Sequence, residues 1–143
     1  MPEIVVFLGP SLDRAKAEKI LEADYRPPAK RGDLYNAARE GVSIILLIDG
    51  VFFQECSVAH KEVLYALEAG ARVLGASSMG ALRASELDIY GMEGIGLIYQ
   101  AYKSGHLVSD DEVAGGARHG GHQPIYRCAV EECISTYSGH AKE

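Results

Sequence analysis

Apolar positions in this chain fall into two patterns, unbroken short runs and stripes spaced three or four residues apart. The runs are Ile4–Leu8, Ser43–Ile48 and Arg72–Gly75. Runs this short and this apolar predict strands buried on both faces, as a parallel sheet requires. Each run closes on small or polar residues: Gly9-Pro10-Ser11, Asp49-Gly50 and Ala76-Ser77-Ser78.

The stripes predict the helices between them. Ser11 stands where it can cap a helix whose inner face is Leu12, Ala15, Ile20 and the stem of Lys19, ending near Glu22 or Ala23. Arg26 to Asp33 then reads as a basic, proline-bearing connector, with Asp33 capping a short helix through Arg39 and Gly41 stopping it. From Ser57 the stripe Val58, Val63, Leu64, Leu67 predicts a helix ended by Gly70. Two more helices are expected, from about Ser78 to Leu87 and from about Ile95 to Lys103, with Gly105 just beyond the second. The last forty or so residues are less regular and are broken by Gly115-Gly116 and Gly120-Gly121.

Strand and helix alternating in this way imply βαβ units. The expected fold is a single α/β domain over residues 1–143: a short, mostly parallel sheet of about three or more strands flanked by helices, with a variant topology left open. Right-handed crossovers would bring the three polar loops to the C-terminal edge of that sheet, where ligand sites form in open α/β folds.

Composition narrows the function more than the fold. Lys+Arg 14 against Asp+Glu 20 gives a net charge of -6, which argues against a nucleic-acid-binding surface. No apolar stretch approaches the ~20 residues that span a bilayer, and no signal-peptide pattern opens the chain. Three cysteines make no disulfide framework, so a reducing cytoplasm is the expected setting. No cofactor motif is present: neither a P-loop nor a Rossmann glycine pattern occurs, which weighs against a nucleotide-binding domain.

The chemistry concentrates around Ala76-Ser77-Ser78-Met79-Gly80, a small-residue relative of the nucleophile elbow G-x-S-x-G. A strand before it and a helix behind it would expose one serine and aim backbone N–H groups at the same point. A plain helix cap is the simpler reading of either serine. A nucleophilic serine needs a base. Lys61, on the preceding helix and starting from the same sheet edge, is one candidate; His106, His119 and His122 follow the serines without any one being singled out. Ser11 could make an anion contact or cap its helix, and Asp49 could orient a lysine or ligand or cap the next turn. Cys56 is a weaker rival nucleophile. His119, His122, Cys128 and Cys133 suit zinc by type but not by spacing, so no metal is expected, and Asp110-Asp111-Glu112 reads as an acidic helix start.

Six ordered blocks carry a family resemblance: Phe7–Leu12, YRPPAKRGDL from Tyr25, Ile48–Phe52, His60–Leu64, Gly75–Ala84 and Asp110–Val113. Together they resemble the core domain of TfuA-like proteins, most strongly over residues 3–114, with residues 115–143 a looser match. The resemblance implies a partner of YcaO enzymes, which activate a peptide-backbone amide with ATP so that sulfur replaces its oxygen. It implies hydrolysis of a thiocarboxylated ThiS-like sulfur carrier, release of sulfide, and help to YcaO in gripping its peptide or protein substrate. Neither nucleic acid nor membrane is implied as a partner. Carried onto this sequence, the family's Ser–Lys pair falls on Ser78 and Lys61, with Ser77, Ser11, Asp49, His60 and Arg83 as supporting or binding residues and Lys30 as a second lysine. In that scheme neutral Lys61 takes the Ser78 proton, or activates a water directly, and Arg83 or the helix terminus offsets the thiocarboxylate charge. The rival expectation is a partner that only docks onto YcaO, its serines capping a helix.

Overall fold

Residues 3–51, 56–77 and 79–105 are described by a computed structural model of the chain. Its elements are β1 (Ile4–Phe7), α1 (Arg14–Ile20), β2 (Asp24–Arg26), α2 (Asp33–Arg39), β3 (Ile44–Leu47), α3 (His60–Glu68), β4 (Arg72–Gly75), α4 (Met79–Leu87), a 3₁₀ turn (Asp88–Tyr90), β5 (Glu93–Gly94) and α5 (Leu97–Ser104). All strands are parallel, in the order β2-β1-β3-β4-β5. The α/β class, the single parallel sheet and its flanking helices are as the apolar pattern predicted.

Handedness explains where the helices sit. The chain leaves β1 toward β2, then returns past β1 to β3 and continues the same way to β4 and β5. Right-handed crossovers therefore put α1 on one face and α2, α3 and α4 on the other. The two cores follow. Val5, Phe7, Ile45, Leu47 and Val73 face Leu34, Ala37, Val63, Ala66 and Ala84 from α2, α3 and α4. Ile4, Val6, Leu46, Ile48 and Leu74 face the other way, toward Leu12, Ala17 and Leu21 around α1. Alternation at period two inside an unbroken apolar run is how both faces become buried. α5 packs on α4 through Ala81, Ile98 and Tyr102.

Several boundaries differ from expectation. α1 begins at Arg14 behind Asp13, and Ser11 caps nothing, because its hydroxyl is engaged elsewhere. The helix phase shifts with its start, so Ala15 is exposed while Ala17 and Leu21 are buried. A strand that the pattern did not predict, Asp24–Arg26, pairs with β1 and sets the sheet edge, taking in Arg26, the first residue of the segment read as a connector. Beyond it, Ala29 bridges to Gly50, donating to the Asp49 carbonyl at 2.9 Å and accepting from Val51 N at 3.0 Å. α3 starts at His60 rather than Ser57. β5 and the 3₁₀ turn had no counterpart in the pattern. No helix among the described residues is long and apolar enough to cross a membrane.

Candidate functional site

The order β2-β1-β3-β4-β5 reverses direction between β1 and β3, which makes the space beyond their C-terminal ends a topological switch point. The chain places two of its polar loops at that point and a third at the neighbouring end of β4. Asp49, just past β3, is buried at 4% exposure. Its Oδ2 accepts from the backbone N–H of Gly9 at 2.7 Å and of Ser11 at 3.2 Å, and its Oδ1 accepts from the Ser11 hydroxyl at 2.6 Å. Asp49 therefore caps the loop after β1, 38 to 40 residues earlier, and not the turn that follows it.

The Ser11 hydroxyl also meets the Ser77 hydroxyl at 2.7 Å. Ser11 has one proton, and an ionised Asp49 takes it; Ser11 Oγ then accepts from Ser77, whose O–H is the donor. Burial pushes the Asp49 carboxyl above its ordinary value, while the hydrogen bonds from Ser11 and Gly9 pull it partly back. The result is a more basic carboxylate than one in water.

Local structure holds the serine turn tightly. Ser77 lies at φ +65°, in the left-handed region, and is fully buried. No other non-glycine residue among the described ones has a positive φ. The sharp turn expected between strand and helix is present, and its left-handed residue is Ser77. Gly75 and Gly80 let α4 sit directly on the sheet: a Cβ on Gly75 would run into the Gly80 carbonyl, and one on Gly80 into the Leu47 carbonyl. Close backbone approach of this kind brings the positive end of a helix dipole to the strand ends.

Of the residues singled out by sequence, Ser11, Asp49 and Ser77 are brought together. Ser78 lies outside the described residues, as do His106, the acidic stretch from Asp110 and the His119 to Cys133 array. Lys61 is exposed in the first turn of α3 and lines a cleft between α2 and α3 with Arg31, Tyr35, Glu62 and Tyr65. His60 is half-exposed, its Nε2 3.1 Å from Glu86 Oε2. Arg83 is largely covered and ties α4 to the loop before α3. It donates to the Val58 carbonyl at 2.9 Å, to Ser57 Oγ at 3.5 Å and to Glu86 at 2.9 Å. Cys56 is a free, exposed thiol. Lys30 is exposed beside Asp33 at 3.4 Å.

Sequence reasoning missed Glu62. This buried carboxylate accepts from Ala59 N at 2.9 Å at the start of its own helix, and from Gly32 N at 2.8 Å and Tyr35 N at 3.4 Å at the start of α2. The Ala59–Glu62 half is a capping-box spacing and was readable; the reach to α2 was not.

A family model described as TfuA-like protein matches residues 49–136. The chain belongs to the TfuA-like family. The matched span begins at Asp49 and takes in α3, β4 and the serine turn of this TfuA-like chain. Among curated proteins, none matches the sequence.

Proposed function

We propose that this TfuA-like chain serves YcaO-dependent peptide thioamidation in the cytoplasm. It would hydrolyse a thiocarboxylated ThiS-like carrier to release sulfide and assist YcaO with its peptide substrate. The observation that carries the hydrolytic part is the Asp49–Ser11–Ser77 network at the sheet switch point: hydroxyls linked to a buried, basic carboxylate beside the start of a helix. Acyl transfer needs those parts, a hydroxyl, a proton acceptor and a place for developing negative charge. The family resemblance assigns the reacting pair to Ser78 and Lys61. The family match supports the setting in which the reaction is read.

The test is a reconstitution of carrier thiocarboxylate, YcaO, ATP and peptide, with and without this chain. Sulfide release from the carrier and thioamide formation on the peptide are measured separately. Sulfide release that depends on the chain, with loss in Ser78→Ala and Lys61→Ala, is the expected result. No sulfide above carrier alone, with thioamidation still stimulated, would replace hydrolysis by docking onto YcaO. Neither effect would remove the reading.

A further inference from the structure

We infer that the cleft between α2 and α3 is where the carrier lays its C-terminal segment, an extended, anionic stretch of polypeptide that ends in the thiocarboxylate. The inference rests on the hydrolytic reading above and names the surface that presents its substrate. Both helices start at the C-terminal edge of the sheet, the edge that carries the serine turn, because each follows a strand of a parallel sheet. The cleft between them encloses about 360 Å³, within the range of small-ligand sites. Arg31, just before α2, and Lys61, in the first turn of α3, line its end at that edge. One turn further in stand Tyr35 and Tyr65, their ring centroids 4.7 Å apart and their planes tilted by 45°. Arg39 lies one turn beyond Tyr35, its guanidinium 5.6 Å from that ring.

Tyr35 and Tyr65 are 39% and 40% exposed, so two packed aromatic rings face water. Tyrosine and arginine are enriched where proteins meet, since rigid aromatic area binds at little cost in side-chain entropy. Charge selects the partner. Lys61 and Arg39 are exposed, and neither is paired with a carboxylate among the described residues. Arg39 also lines the next hollow along α2, together with Arg26 and Lys30. The carboxylates nearby are engaged: Glu62 is buried under the starts of both helices, Asp33 holds Lys30, and Glu40 holds Arg26. A chain of net charge -6 thus turns a cationic strip outward here, which favours an anionic polypeptide.

The dimensions fit one short segment. Lys61 to Tyr65 and Tyr35 to Arg39 are each one helical turn, so the strip from Lys61 to Arg39 runs about 11 Å along the cleft. An extended segment of about three residues covers that length. With its terminus at the Lys61 end, the thiocarboxylate meets the lysine that the family resemblance assigns to the reaction, and Arg31 offsets its charge. The two rings then flank the backbone behind the terminus, and Arg39 meets an acidic side chain further back.

Fluorescence anisotropy separates this surface from the chemistry. It uses the full chain and a labelled carrier that ends in an ordinary carboxylate, from which no sulfide can leave. Binding should weaken as salt rises from about 50 to about 200 mM, because exposed charges are screened. It should fall about 10-fold or more in Tyr65→Ala and in Arg39→Glu. Arg39→Lys, which keeps the charge, should restore most of it. Lys16→Glu, the same reversal at an exposed position on α1 across the sheet, should leave it unchanged. Circular dichroism checks that the variants are folded. With the thiocarboxylated carrier, KM for sulfide release should rise in Tyr65→Ala by the same factor while kcat holds. No binding of the carrier, binding untouched by Tyr65→Ala and Arg39→Glu, or an equal loss in Lys16→Glu overturns the inference. Unchanged KM in both cleft variants also removes the surface but leaves hydrolysis standing. Binding that the cleft variants weaken, without sulfide release by the unsubstituted chain, keeps the surface and removes hydrolysis instead.

Discussion

The hydroxyls of Ser11 and Ser77, 66 residues apart in sequence, meet at 2.7 Å over the ends of β1 and β4. Ser77 holds its place at a backbone cost, because a left-handed φ disfavours any residue with a Cβ by roughly 1–2 kcal/mol. Removing the hydroxyl should cost about 1 kcal/mol for the lost hydrogen bond. Ser77→Ala suffers that loss and keeps the strain, while Ser77→Gly suffers it and releases the strain. Urea denaturation should therefore rank Ser77→Gly above Ser77→Ala by about 1 kcal/mol, even though glycine has more unfolded freedom to lose. An alanine variant as stable as the glycine one would contradict the left-handed turn.

The seat of α4 gives a second prediction. A methyl group at position 80 would run into the Leu47 carbonyl, and one at 75 into the Gly80 carbonyl as well as the Met92 side chain. The backbone clash at either position cannot be relieved by a flexible side chain turning away. Gly80→Ala should cost about 3 kcal/mol or more, at the upper end of core overpacking, and lower the thermal midpoint accordingly. At Gly70, where a Cβ meets nothing within 4 Å, alanine suffers only the left-handed φ and should cost less. Equal melting points for the two variants would show that α4 can lift off the sheet.

What the sequence made legible follows from how local each signal is. Ile4–Phe7, Ile44–Leu47 and Arg72–Gly75 are interior strands, and burial on both faces writes itself as an unbroken apolar run. Asp24–Arg26 and Glu93–Gly94 are the two edges of the sheet, three and two residues long, and their pairing is made by neighbours rather than by their own side chains. Arg26, followed by two prolines, looks like a place where structure stops. The convergence of the Gly9, Asp49 and Ala76 loops was readable because crossover handedness is a general rule. That Asp49 would bond Ser11, and so deny Ser11 to its helix as a cap, was not readable. No local spacing encodes a contact across 38 residues.

Glu62 joins two helix starts through one carboxylate, which makes it a stability residue rather than a site residue. Alanine there leaves the partly buried N–H groups of Ala59, Gly32 and Tyr35 without their carboxylate acceptor. The expected loss is about 1–2 kcal/mol, since hydrogen bonds to charged acceptors exceed neutral ones but water from the adjoining cleft can reach the freed N–H groups. Glutamine keeps one acceptor oxygen and should lose about half as much. Equilibrium denaturation of the two variants checks the order, and a neutral Glu62→Ala would mean that α2 and α3 cap themselves by other means.

The pH dependence of stability should carry a signature of Asp49. Its folded pKa lies above the ordinary value of 3.8, so between the two the folded protein binds more protons than the unfolded chain. The contribution of Asp49 is therefore most favourable at low pH and is lost as pH rises from 3.8 through the raised value, opposite in sign to a salt-bridged aspartate. Asparagine can reproduce every contact: its oxygen accepts from Gly9 N and Ser11 N, and its amide donates to Ser11, whose hydroxyl then turns to Ser77. Asp49→Asn should thus be at least as stable as the unsubstituted chain at neutral pH, because it no longer buries a charge. The advantage should shrink as pH falls toward 3.8, where Asp49 itself becomes protonated in the folded state. Denaturation midpoints measured across that range, for both proteins side by side, give the comparison. An asparagine variant clearly weaker at neutral pH would mean that the Ser11 hydroxyl cannot reverse its hydrogen bond, and that the ionised carboxylate is itself what holds the loop after β1.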